Sequence, residues 1–325
     1  MQLDGVRTTS ISMDPHMITE AAATDSAAPP TLLDGNAVAD RIRTGLEPPI
    51  ETLTDAGVPP ELAVVSMTRS GAGQTYVSMK QRACVEAGIR GSVHEIDPDA
   101  PAERLFECID ELNADPSVDG IAVQTPLPDH VDARAVARRI DPKKDVEAIH
   151  PETLGRLFLG DSGYKPPTPH GIQRLLAAYG IETTGRRAVV VGRSETVGRP
   201  MATLLSGRGA GGDATTTVCH SYTEDLATIT RTAELLVVAA GAPELVDAGM
   251  LSEGVVVIDV GINRVDAGDA TGRQVVGDVD FESAAAKADA ITPVPGGVGP
   301  VTLSMLLYNT VDAASRQSAV DVELP

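Results

Sequence analysis

Residues 186–205, "RRAVVVGRSETVGRPMATLL", decide the fold. The apolar run Ala188–Val191 is short and mostly β-branched, which reads as a strand buried on both faces. It passes without a spacer into the turn Gly192-Arg193-Ser194-Glu195-Thr196-Val197-Gly198. A helix follows, with Pro200 in its first turn, where proline's fixed φ is at home. Glycines at 192 and 198 let the backbone come close to a ligand, and the free N–H groups at the helix start favour an anion there. The spacing is not GxGxxG, so the turn alone is a weak sign. Its place between a clean strand and a helix strengthens it.

Downstream, three more strands are expected in "TTTVCH" (215–220), "ELLVVAAG" (234–241) and "VVVIDVG" (255–261). Together they have the layout of a doubly wound nucleotide-binding sheet. NAD-binding versions place a carboxylate at the end of the second strand for the ribose 2′-hydroxyl. Here that strand ends Cys219-His220-Ser221. Arg193 and Ser221, a cation and a hydroxyl, suit a 2′-phosphate, so NADP is favoured over NAD.

Upstream, strands are expected in "ELAVVSMT" (61–68), "GSVHEI" (91–96) and "VDGIAVQTPLP" (118–128), alternating with helices in "AGQTYVSMKQRA" (72–83) and "PAERLFECIDELNAD" (101–115). Alternation of this kind implies a parallel sheet covered by helices. An earlier amphipathic helix carries Ala37, Ile42 and Leu46 on one face and is interrupted at Pro48-Pro49. The proline-rich "YKPPTPHG" (164–171) reads as a domain junction. The fold class is therefore α/β in two domains. A catalytic domain spans 31–155 and takes back a C-terminal helix at 298–317, and a Rossmann-like NADP-binding domain spans 156–297. Residues 1–30 read as a disordered leader, with Met13 or Met17 as alternative starts, and 318–325 as a loose tail.

The chain has 325 residues, 46 acidic against 26 basic, for a net charge of −20. Such a field repels nucleic acid. Only five of the basic residues are lysine, and aromatic residues make up 2%. An acidic, lysine-poor surface of this kind resembles proteins of salt-accumulating halophiles. Neither a signal peptide nor an apolar run of about 20 residues is present, so a cytoplasmic location away from membranes is expected. Cys84, Cys108 and Cys219 have no CxxC spacing and read as buried small hydrophobes. The histidines are not spaced as metal ligands, and no metal is expected.

Tyr76 and Lys80 stand one helical turn apart on a shared face. Short-chain dehydrogenases use Tyr-x-x-x-Lys, but after their glycine-rich turn, whereas this pair precedes it by more than a hundred residues. From spacing alone, the plainer reading of a half-buried tyrosine beside a surface lysine is the favoured one. Gln124 ends a buried strand just before Pro126-Leu127-Pro128, at the strand end where α/β sheets bind ligands. Asp145 and Glu147 sit two apart in a loop, either merely solvated or positioned to accept hydrogen bonds from an amide–amine edge such as a pterin's.

With these positions assembled, residues 32–316 resemble the bifunctional methylenetetrahydrofolate dehydrogenase/methenyltetrahydrofolate cyclohydrolase family. The likeness lies in "TYVSMK", "GIAVQTPLP", "KKDVEAIHPETLGRL", "TPHGI", "VVVGRSETVGRPM", "VVIDVGIN", "VVGDV" and "ITPVPGGVGPVT". It implies Lys80 as catalytic lysine, Tyr76 as active-site tyrosine, Gln124 as the lysine's partner and Glu147 as the pterin-holding carboxylate. It further implies that Pro295, Gly296, Gly297, Val298 and Gly299 line the folate site. NADP contacts are implied for Gly192, Arg193, Ser194, Gly198, Ser221 and Ile262, with Thr168 in the hinge. A homodimer through the cofactor domain is also implied, with tetrahydrofolate derivatives as substrates.

Three departures stand out. Glu147-Ala148 replaces the usual Asp-Gly, so the longer acid needs a shifted loop. Gly73 replaces a serine, removing a hydroxyl, and Thr125 replaces an apolar residue. Two other classes are open to the residues alone, an amino-acid dehydrogenase-like oxidoreductase and a non-catalytic NADP-binding regulator. The composition itself makes a prediction. Below about 0.5 M KCl, where screening of like charges weakens, the purified protein should lose structure. A melting temperature indifferent to salt would refute this.

Overall fold

The computed structural model describes residues 29–161, 163–265 and 274–325. Most of the expected leader lies outside them. Strand β1 (Thr31–Leu32) leads through Asp34, whose side chain caps the next helix by accepting from the Asn36 N–H, into α1 (Gly35–Asp55). Then follow β2 (Glu61–Ser66), α2 (Gly71–Ala87), β3 (Arg90–Glu95), α3 (Ala102–Ala114), β4 (Gly120–Gln124), α4 (Ala133–Arg139) and α5 (Pro151–Leu159). The strands form a parallel sheet, β3-β2-β4.

Pro48 and Pro49 do not interrupt α1, which runs straight through them. An internal proline costs about 3 kcal/mol. The buried stripe Leu46, Ile50 and Leu53 continues past the prolines and offsets this, at roughly 1.5–3 kcal/mol per side chain.

After α6 (Pro167–Ala178), the second half runs β5 (Arg187–Val191), α7 (Gly198–Ser206), β6 (Thr215–Cys219), α8 (Leu226–Thr230), β7 (Leu235–Val238), β8 (Val255–Asp259), β9 (Asn263–Val265), β10 (Gln274–Val276), α9 (Phe281–Ala285), β11 (Ala288–Ile291) and α10 (Val298–Ser318). The main sheet is parallel throughout, in the order β1-β11-β8-β7-β5-β6, and β9 and β10 form a small antiparallel pair. Ala188–Val191 are buried as expected, whereas the threonine-rich β6 is an exposed edge strand.

Three expectations are corrected. Thr31 and Leu32 pair with Ala290 and Ile291, so β1 belongs to the second sheet rather than to the catalytic domain. The tail is not loose. Val320, Val322 and Leu324 pack onto the core, and Arg174 Nη1 donates to the Pro325 carbonyl at 2.8 Å. Their apolar alternation supplies the contact. Cys84 and Cys219 are buried, but Cys108 is half-exposed on α3.

α10 packs between α1 and α6 and so ties the two halves together. In that seam the His170 ring meets Tyr308 edge-on, and its Nδ1 has no hydrogen-bond partner. Burial, with Lys165 and Arg174 nearby, pushes the imidazole down to about 3. The folded chain thus refuses a proton that the unfolded chain accepts below its ordinary value of 6.5. Stability from this group is present above that pH and is lost as pH falls. His170→Gln removes this dependence. Between pH 7.5 and 5.5 the wild type should lose about 1.4 kcal/mol more unfolding free energy than the variant. Parallel losses in denaturant titrations of the two proteins would contradict this.

Candidate active site

A cleft of about 1420 Å³ lies between the carboxyl ends of the two sheets, room for two ligands side by side. Tyr76 and Lys80 line one wall from α2, together with Val123, Thr125 and Glu147. Thr168, Ile262 and Pro295 to Gly299 line the other. The Tyr76 phenol is pushed up by burial, with the Arg264 guanidinium pulling the other way.

Lys80 is held by a carboxylate. Its Nζ donates to Glu147 Oε1 at 2.9 Å, while Glu147 Oε2 accepts from the Val123 N–H at 3.2 Å. The two side chains are 12% and 22% exposed, so solvent screens the pair little. Gln124, expected as the lysine's partner, is instead buried behind the wall. Its Nε2 donates to the Thr125 carbonyl at 2.5 Å, and its Oε1 has no partner. The ammonium goes to the charged acceptor, which binds it more strongly than an amide does.

The loop bearing Glu147 is fixed from below. Asp145, fully buried, accepts from the Ile149 and His150 N–H groups and does not face the cleft. The buried Asn309 of α10 donates to the carbonyls of Val146 at 2.8 Å and Lys165 at 2.9 Å. Ala148 takes φ 54°, the left-handed region that favours glycine. This is how the departure at 147–148 is accommodated. The missing hydroxyl at Gly73 is also accounted for, since a Cβ there would stand 2.7 Å from Thr68 Cγ2 and 3.1 Å from its Oγ1. Thr68 fills the space with a hydroxyl of its own.

Across the cleft, Gly35 abuts the Gly296-Gly297 backbone, where a Cβ would lie 1.6 Å from the Gly297 oxygen. The Gly35 N–H donates to the Gly296 carbonyl at 2.9 Å, and Thr302 Oγ1 donates to Thr168 Oγ1 at 3.1 Å. The Pro295–Gly299 loop is therefore braced by the start of α1 and by α10.

The turn that opened the sequence reading lies along the second sheet's rim. Gly192 has φ 124°, and a Cβ on it would lie 2.1 Å from the Ala239 oxygen. A Cβ on Gly198 would lie 2.2 Å from the Gly192 oxygen. Both positions admit only glycine. Ser194 Oγ accepts from the N–H groups of Val197 and Gly198. The Arg193 guanidinium stands 5.7 Å from the Tyr222 ring centre, beside Ser221 at the end of β6. This donor set, with no carboxylate ending β6, fits a dinucleotide carrying a 2′-phosphate. Only Glu195 and Thr196 of the turn reach the main cleft. Glu195 Oε1 accepts from Arg134 Nη2 of α4 at 2.7 Å, joining the two halves across its mouth.

Sequence reasoning missed Arg264, Arg134 and Asn36, all of which line the cleft. Arg264 follows the quoted "VVIDVGIN" directly and was open to notice. Arg134 sits on α4 with no pattern to mark it. No cluster of His, Cys, Asp or Glu suited to a metal occurs among the described residues, and no helix among them is long and apolar enough to cross a membrane.

This fold and cleft define a two-domain α/β dehydrogenase with a dinucleotide edge facing a lysine-bearing substrate wall. Comparison with known proteins makes the class specific. Residues 33–147 match the catalytic domain of tetrahydrofolate dehydrogenase/cyclohydrolase, and residues 166–318 match that family's NAD(P)-binding domain. The chain belongs to this family. It is 61% identical to bifunctional protein FolD 2 of Haloarcula marismortui over 91% of this chain and 99% of that one. It is 55% identical to bifunctional protein FolD of Halobacterium salinarum over 90% and 99%. Both relatives come from halophilic archaea, in line with the composition. Among solved structures, the bifunctional FolD enzyme of Campylobacter jejuni superimposes with a TM-score of 0.83 at 46% identity, covering 88% of this chain and 99% of that one. The Trypanosoma brucei enzyme, complexed with NADP cofactor and inhibitor, gives 0.85 at 38% identity over 90% and 100%.

The Lys80–Glu147 pair yields a prediction. A double-mutant cycle of Lys80→Met and Glu147→Ala should show a coupling of about 1–2 kcal/mol, between the values for exposed and buried pairs. Additive effects on unfolding in high salt would mean that the pair contributes nothing.

Proposed function

We propose that this chain oxidises 5,10-methylenetetrahydrofolate with NADP⁺ and hydrolyses the 5,10-methenyl product to 10-formyltetrahydrofolate, Lys80 moving the protons of the second reaction. The observation that carries this is Lys80 in the cleft wall, one turn from Tyr76 and against Glu147, opposite the dinucleotide edge.

NADP⁺, when bound, supplies the hydride acceptor. Gly192, Arg193, Ser194, Gly198 and Ser221 would hold its phosphates, with Ile262 and Thr168 nearer the reacting end. The chain's task in this half-reaction is alignment of two ligands. Tyr76 flanks the folate from α2, and Pro295 to Gly299 form the facing wall.

Hydrolysis needs proton transfer. Freed of its own proton beside the bound methenyl cation, Lys80 takes a proton as water adds to the methenyl carbon and returns it to nitrogen as the C–N bond opens, the hydroxyl's proton leaving to solvent. In the free chain Glu147 occupies the amine. When a pterin's amide–amine edge draws on Glu147, Lys80 is released from the carboxylate to act on the substrate. An arginine could not serve here, since it does not give up its proton.

The same reading makes the protein cytoplasmic, with folates rather than nucleic acid as partners, and a homodimer. The exposed edge strand β6, with Val218 on it and Tyr222 just past its end, supports pairing through the cofactor domain.

Lys80→Met should abolish hydrolysis of methenyltetrahydrofolate while the protein remains folded and binds NADP⁺. Absorbance at the methenyl band in high-salt buffer reads this directly. Hydrolysis by the variant above the spontaneous rate would remove Lys80 from the mechanism.

A further inference from the structure

Asp259, the last residue of β8, and Asp278, two residues past β10, are 4% and 0% exposed. Their partners are N–H donors. Asp278 Oδ2 accepts from the N–H groups of Ala240 at 2.6 Å and Gly241 at 2.9 Å. Its Oδ1 accepts from the Ala242 N–H at 3.0 Å and from Asn263 Nδ2 at 2.8 Å. Asp259 in turn accepts from the backbone N–H groups of Asp278 and Gly261 at 2.9 Å and of Val279 at 3.1 Å. Each carboxylate leans on a glycine that leaves room for it. A Cβ on Gly277 would lie 1.7 Å from Asp259 Oδ2, and one on Gly261 would lie 2.4 Å from Asp278 Oδ1.

Three loops are thereby joined, those after β7, β8 and β10. The first abuts the phosphate turn, because the Ala239 oxygen occupies the place of a Cβ on Gly192. The second carries Val260, Gly261 and Ile262 into the cleft wall. Burying two carboxylates side by side is costly, and burial pushes Asp259 up to about 6 despite its three backbone donors. A merely structural tie between loops is made more cheaply by neutral groups. What a carboxylate adds is the capacity to hold several N–H donors at once with no donor of its own.

We propose that Asp278, seated by Asp259, is a positioning residue for NADP⁺. It holds the Ala240–Ala242 turn and, through Asn263, the Ile262 loop in the shape the cofactor meets. The cofactor then binds a wall that is already built, and the ordering cost falls on folding rather than on binding. The inference rests on placing the cofactor along this edge.

The test is calorimetric titration of NADP⁺ into the wild type, Asp278→Asn and Asn263→Ala at high KCl, beside hydrolysis of preformed methenyltetrahydrofolate, which uses no cofactor. Asparagine at 278 keeps the shape but points an NH2 at N–H donors. It should weaken NADP⁺ binding by about tenfold, as loss of a supporting shell does elsewhere. Asn263→Ala removes one donor of four and should cost about threefold. Hydrolysis should stay within about twofold of wild type in both, since the lysine wall is untouched. A general loss of structure would instead lower both readouts together. Unchanged NADP⁺ affinity in both variants overturns the proposal. If Asp278→Asn does not fold, Asn263→Ala decides alone. Failure of the wild type to bind NADP⁺ would sink the cofactor placement, and the proposal with it.

Discussion

Every strand pairing in the two main sheets is parallel, so each strand delivers its chain to a loop on the same edge of its sheet. Two such edges face one another across the cleft, and the rest of the molecule serves to hold them at that separation. Parallel strands cannot be joined by tight hairpins, so each must be followed by a crossover. The crossovers place α2 in the cleft wall and α7 behind the glycine turn at 192–198. α10 then closes the arrangement, its Asn309 bonded to the loop that presents Glu147 and its first turn continuous with the cleft-lining Pro295–Gly297 segment.

The cleft shows one recurrent device, a buried carboxylate that organises backbone N–H groups behind a cleft-lining segment. Asp145 fixes the loop from which Glu147 reaches Lys80, and Asp278 fixes the loops behind Ile262. At the first of these the acid two positions away, Glu147, lines the cleft. The extra methylene of glutamate at 147 matters because it lets one side chain span from the Val123 N–H to the Lys80 amine. The left-handed Ala148 is part of the same accommodation.

What was legible in the sequence had a local cause. Ala188–Val191 and its glycine turn are dictated by residues next to one another, as is the shared face of Tyr76 and Lys80. Glycines 192 and 198 could be read because no other residue fits. What escaped depended on distant partners. Thr31 and Leu32 are a strand only because Ala290 and Ile291 lie alongside. Pro48 and Pro49 stay helical only because the stripe on either side is buried. The tail reads as loose until Val320, Val322 and Leu324 find the core. Nor does spacing tell which of Asp145 and Glu147 faces solvent, since that is settled by Asn309, more than 160 residues away.

Net charge and site charge run opposite ways in this chain. The protein carries −20, yet Arg134, Arg138, Arg199 and Arg264 all line the cleft. In dilute buffer such a contrast would steer anionic ligands over long distances. In the molar salt that its composition suits, the Debye length is about 3 Å, and a charge is felt only by what touches it. Recognition of a phosphate or a carboxylate must then come from direct, oriented contact. A wall whose N–H groups and side chains are already in place meets that demand, because short-range donors gain their full strength only when geometry is fixed before the ligand arrives. The braced Gly296-Gly297 loop, the glycine-locked turn at 192–198 and the carboxylate-tied loops behind Ile262 are three solutions to that one requirement.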